Sequence, residues 1–111
     1  MRKTERRMGR SEKAHLALNL FLESLRRAEG SDAVAVTTAD GFLVAGVGEK
    51  TDVEWMGALG ASSQRSSFTW EEHTLHVQRI DVNNVPMFVT SAGKPVKRWS
   101  VKTGFERILA T

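Results

Sequence analysis

His73-x-x-His76 is the only close histidine pair in the chain, and two adjacent carboxylates, Glu71 and Glu72, come just before it. No other stretch is so rich in groups that could hold a metal or move a proton. Coordination requires three or four donors converging on one point. Along an extended segment, residues three apart face opposite ways, so the imidazoles diverge, and so do the adjacent carboxylates. Ser62, Ser63, Ser66 and Ser67 supply hydroxyls. A serine nucleophile needs a histidine oriented by an acid, and no such partners are legible here. Gly46-Val-Gly-Glu-Lys-Thr51 comes near a phosphate loop. That loop requires Gly-x4-Gly-Lys-Ser/Thr, so that backbone amides wrap the phosphates. Here Glu49 precedes Lys50 and Val44 stands where the first glycine belongs. The residues therefore predict no catalytic centre, no metal and no cofactor.

The elements that position these groups are more legible. Ser11 to Glu29 reads as a wide-faced, mostly buried helix, with Ala14, Leu18, Phe21, Leu25 and Ala28 at helical spacing, Ser11 as N-cap and Gly30 as terminator. Ala33–Thr38 and Phe42–Val47 read as a hairpin with a primed turn at Asp40-Gly41. Thr51-x-x-Glu54 reads as a capping box that opens a second helix from Asp52 to about Arg65. Ser66–Glu71 and Thr74–Asp81 make a second hairpin turning near Glu72-His73, and Asn83-Asn84 turns into a strand from Val85 to Ser91. That last strand is apolar on both faces, which predicts a central place. Pro86 is tolerable in it only where its missing N–H is not needed. A final helix runs through Trp99, Phe105, Ile108 and Leu109, with Pro95 near its first turn and Trp99 read as core. The order α-β-β-α-β-β-β-α predicts an α/β protein (an α+β sandwich) with one five-stranded antiparallel sheet covered by helices on both faces.

At 111 residues the chain fits a single domain, from residue 11 to 111, preceded by a basic flexible arm over residues 1–10. The net charge of +3 is concentrated at the ends: residues 1–10 and residues 94–111 each carry +4, and the stretch between is acidic. Arg2, Lys3, Arg6, Arg7 and Arg10 form a patch suited to an acidic partner, nucleic acid or an anionic membrane. The other reading is a solvated terminus. With no cysteine, disulfides and thiolate metal sites are excluded, which fits a reducing, cytoplasmic setting. No apolar run reaches the roughly 18 residues of a membrane span, and no secretory signal is expected.

At about 100° per residue, Val53, Met56 and Gly60 share the sheet-facing side of the second helix. Trp55 falls on the far side with Ala58 and Ser62, and Leu59 lies between. Either the arm or a loop covers this tryptophan, or it is an anchor for another molecule; the second reading is preferred. Phe68 and Trp70 alternate along the next strand. They either pack under the second helix or form an exposed aromatic edge.

The element order, the strand–Asp-Gly–strand unit and the small-residue helix after it resemble the roadblock (dynein light-chain) domain, over roughly residues 11–110. The resemblance implies a roadblock/profilin-like fold and a homodimer in which second helices pack together and third strands pair across a two-fold axis. Trp55, Leu59, Ser62, Phe68 and Trp70 would then lie at or near the dimer seam. It further implies a non-catalytic platform for a Ras-like small GTPase, as in the bacterial stand-alone members that regulate polarity or gliding motility. Gly57 and Gly60 depart from the pattern by making the second helix glycine-rich, and the basic arm lies outside it. Two other readings are a nucleic-acid- or membrane-binding protein acting through the arm, and a small-molecule sensor.

Overall fold

Alanine alternating with β-branched residues makes Ala33–Thr38 the first strand, β1, and every residue of it but the last is buried. The computed structural model describes residues 2–48 and 51–110, with side chains from residue 12 onward. In chain order the elements are α1 (Arg2–Glu29), β1, β2 (Leu43–Gly48), α2 (Val53–Ser63), β3 (Ser67–Trp70), β4 (His73–Val82), β5 (Val85–Ala92) and α3 (Arg98–Leu109). The strands form one antiparallel sheet in the order β2-β1-β5-β4-β3. The expected element order and central β5 are both present.

Pro86 is accommodated because β1 pairs with β5 only as far as Thr38↔Met87. Its missing N–H falls where no neighbour needs it. The two tight turns differ from one another. Asn83 and Asn84 both have positive φ, at 51° and 68°, giving the primed turn that suits a two-residue hairpin. At the first hairpin only Gly41 does so, at 91°. The Gly41 amide donates to Thr38 O (3.0 Å) and the Thr38 amide to Phe42 O (2.9 Å). This is a three-residue loop closed by a left-handed glycine, not the primed Asp-Gly turn, and β2 starts one residue late. The second hairpin turns at Glu71-Glu72, one residue early, between Trp70 and His73.

α1 and α3 cover one face of the sheet, and α2 covers the other. Beneath the first pair lies a core of Leu18, Leu22, Val34, Val36, Ile80, Val82, Met87, Val89, Val101 and Phe105. Gly104 marks where α1 and α3 touch, because a Cβ there would overlap the ring of Phe21. α1 extends back through residues 2–10, so Ser11 is not its cap; Arg, Lys, Glu and Met are good helix formers, and they carry the helix on. It ends at Gly30, where the Gly30 and Ser31 amides donate to Arg26 O. α1 is also less buried than expected. Leu16 and Leu20 are 58% and 63% exposed, because the helix has neighbours on only one side. α3 begins at Arg98, three residues beyond Pro95. Trp99, expected in the core, is 70% exposed. At 100° per residue it points away from the Val101–Phe105–Ile108 stripe.

Arg26 and Arg27 both donate to the Glu23 carboxylate, at 2.7–2.9 Å. Hydrogen bonds from Arg26 and then Arg27 lower its pKa from 4.5 to about 2. Lys102, followed by the Asn83 amide, lowers that of Glu106 in the same way. A lowered folded-state pKa stabilises above the ordinary carboxylate range and loses that contribution as pH falls through the folded value. Acid unfolding followed by circular dichroism should therefore show stability declining between about pH 4.5 and 2. Glu23→Gln should show a shallower decline in that window, with the Glu106 part retained.

Candidate binding face

The second helix is built to lie close to the sheet. Its buried residues are Met56, Gly57 and Gly60. A Cβ on Gly57 would come within 2.6 Å of Thr37 Cγ2, and one on Gly60 would overlap the Thr90 side chain. The glycines therefore do not interrupt the helix; they let its backbone rest on β1 and β5. Its cap is Asp52, whose Oδ1 accepts from the Trp55 amide at 3.0 Å. Thr51 of the expected capping box lies one residue too early, since Asp52 is itself an N-cap residue and stands nearer the first helical turn. Asp52→Ala should cost about 1 kcal/mol, read as a shift of the urea midpoint without a change of slope.

With one side committed to the sheet, the other is left to solvent. Trp55 is 57% exposed, Leu59 half-buried and Ser62 exposed. The Ser62 hydroxyl donates to Leu59 O. On the same face of the sheet, edge strand β3 presents Phe68 and Trp70. Both are half-buried against a cluster of Ala33, Ala35, Met56, Leu75 and Ala92. They thus pack beside α2 and still keep part of each ring accessible. Trp55 and Trp70 line one recess together with Thr51, Asp52, Glu71 and His73. Two indoles from separate elements thus meet on one surface, rimmed by carboxylates and an imidazole.

The other sequence candidates are dispersed. His73 Nδ1 lies 3.9 Å from Asp32 Oδ2, while His76 Nε2 bonds Gly93 O at 2.9 Å on the opposite face. Gly46, from the near-phosphate-loop stretch, has its amide taken by Asn19 Oδ1 (3.0 Å), and Gly48 ends β2. Glu49 and Lys50 lie outside the described residues. So do the side chains of Arg2, Lys3, Arg6, Arg7 and Arg10, and with them the basic patch expected of the arm. No helix among the described residues is long and apolar enough to cross a membrane.

With the order β2-β1-β5-β4-β3, two helices on one face and a glycine-seated helix on the other, the architecture can be compared as a whole. Solved structures of MglB superpose on it. One from Myxococcus xanthus has a TM-score of 0.54 at 11% identity, covering 85% of this chain and 83% of that one. Another, from Thermus thermophilus, has a TM-score of 0.55 at 14% identity over 86% of this chain and 84% of that one, and is described as a gliding protein. The chain has the roadblock fold. A third roadblock neighbour, MglB with a tetrameric arrangement, gives a TM-score of 0.56 at 14% identity, covering 86% of this chain and 84% of that chain. No protein-family profile and no curated protein sequence matches the chain. The likeness is one of fold, carried with very little sequence.

Three exposed groups escaped the sequence reading: Phe42 at the first hairpin, and the pairs Leu16–Leu20 and Trp99–Arg98 on the outer sides of α1 and α3. For Trp99 the helical spacing carried the signal. For Phe42 none was available, because the register of the loop decides its exposure.

Proposed function

We propose that this chain is a non-catalytic, homodimeric roadblock protein that binds a Ras-like small GTPase and modulates its nucleotide cycle or localisation, in polarity or motility signalling. The observation that carries this reading is the Trp55–Trp70 recess, with Phe68 beside it on edge strand β3. An apolar face that joins a helix to a free sheet edge suits a second copy, since helix can pack on helix and strand on strand about a two-fold. The superposition on MglB supports the same reading. The dimer would present a two-fold surface of helices and loops to the GTPase. Any effect on hydrolysis would require unequal affinity for the two nucleotide states, since a ligand shifts an equilibrium only by its differential affinity.

Co-elution with the Ras-like GTPases of its own cell, loaded with GDP or a GTP analogue, tests this. The expected result is binding that depends on the nucleotide and survives deletion of residues 1–10. No GTPase binding in either nucleotide state, together with binding of duplex DNA or anionic vesicles that collapses with moderate salt and with that deletion, would point instead to the basic arm acting on nucleic acid or a membrane.

A further inference from the structure

β4 is ten residues long, but β3 is only four, and the two pair only over His73–His76. The last bond between them is Val77 N–H to Ser66 O, at 2.8 Å. Backbone groups along a strand alternate in direction. Val82 and Val85 close the two-residue turn to β5, so even-numbered residues of β4 bond β5 and odd-numbered ones face the other way. The N–H and C=O of Arg79 and the N–H of Asp81 therefore point to a side where β3 has ended. Asp81 O accepts from Lys102 Nζ at 2.6 Å. What remains is an open sheet edge.

Beside that edge lies a recess lined by Arg79, Ile80, Asp81, Arg98, Trp99 and Lys102. Arg79, Arg98 and Lys102 bring three cations to it and Asp81 one carboxylate, but Lys102 Nζ is already paired with Glu106 at 2.8 Å, which leaves the two arginines. Arg79 and Asp81 approach only to 3.9 Å, with both side chains mostly exposed. Arg98 has no ion-pair partner among the described residues. The start of α3, which lies here, has no side-chain cap and no acid in its first turn. Its amide dipoles add to the positive potential. Trp99 stands 70% exposed at the recess.

We propose that this edge docks an extended acidic segment of a partner protein, which adds as a strand along Arg79–Asp81, sets an apolar side chain against Trp99 and places carboxylates on Arg79 and Arg98. Strand addition draws affinity from main-chain bonds and selectivity from alternate side chains, and both are available here. A second copy of this chain would bring the same cations to the same edge, and like charges oppose that pairing. The site is separate from the Trp55 face and does not depend on the homodimer.

The test uses the full chain with a fluorescein-labelled decapeptide of alternating Glu and Val. Its controls are a Lys–Val counterpart and a Glu–Val peptide N-methylated at alternate residues. The expected result is saturable binding of the Glu–Val peptide, with amide shifts at Arg79–Val82, a shift of the Trp99 indole N–H, and slowed exchange of the Arg79 amide. Arg98→Glu, checked for folding by circular dichroism, and the N-methylated peptide should each bind about tenfold more weakly or worse. No saturable binding, or shifts that map elsewhere, would overturn the proposal. Equal binding of the N-methylated peptide would overturn strand addition, leaving charge attraction alone. An Arg79 amide already protected in the free protein would assign the edge to a second copy. Binding of phosphatidylserine vesicles but not of the peptide would assign it to a membrane.

Discussion

Gly60→Leu should leave no stably seated second helix. The expected loss of stability is about 3 kcal/mol or more, at or beyond the usual cost of overpacking. A Cβ at this position falls 2.9 Å from Thr90 Cβ, an atom fixed to the backbone of a central strand that no rotamer change can move. Gly60→Ala separates two opposing effects. Alanine favours an isolated helix by about 1 kcal/mol over glycine, whereas the overlap with Thr90 costs about 1–3 kcal/mol. The overlap should win, so that alanine destabilises while raising helix propensity. Urea unfolding checks the sign. A stabilised Gly60→Ala variant would mean that α2 does not rest on β5 as closely as described.

Trp55→Glu should produce a folded monomer. The indole is 57% exposed in the single chain, so its removal costs the fold little. In a dimer built on this face, its loss should weaken association by at least about 2 kcal/mol, roughly thirtyfold in dissociation constant. A carboxylate from each copy would also meet across the two-fold, adding repulsion. Analytical ultracentrifugation over a concentration series reads the shift, with thermal unfolding as the control for folding. An unchanged dissociation constant would remove Trp55 from the interface and the assignment of this face with it.

Much of the fold was legible because each strand and helix carries its own periodicity. The period-two runs of β1 and β4 and the three- and four-residue spacing in α1 and α3 needed no tertiary information. Boundaries were harder. Ser11 has the chemistry of a cap, yet a sequence of good helix formers before it lets the helix continue. Asp52 displaced Thr51 by one residue, and Asp40-Gly41 became part of a three-residue loop. A cap is worth only about 1 kcal/mol, so neighbouring residues can move such a boundary by a turn or a single position. Trp99 was misjudged for another reason. Its apolar type favours the core, whereas its helical phase sets it with Lys102 and Glu106 on the polar side.

The aromatic face was legible only in part. Spacing alone set Trp55 opposite Met56 and Gly60. That Trp70 of a different element lines the same recess depends on β3 lying at the sheet edge, which no local pattern specifies. The glycines of α2 looked like an irregularity in the sequence. In the structure they are what brings the helix down onto the sheet, with Trp55 left on the side away from it.

The proposed homodimer joins two copies of this chain through the α2–β3 face. Multi-angle light scattering on the wild-type protein tests it most directly. The prediction is a mass about twice the 12.3 kDa of one chain, maintained on dilution into the low micromolar range. A folded protein of 12.3 kDa at every concentration would contradict the claim. The Trp55–Trp70 recess would then need a different occupant.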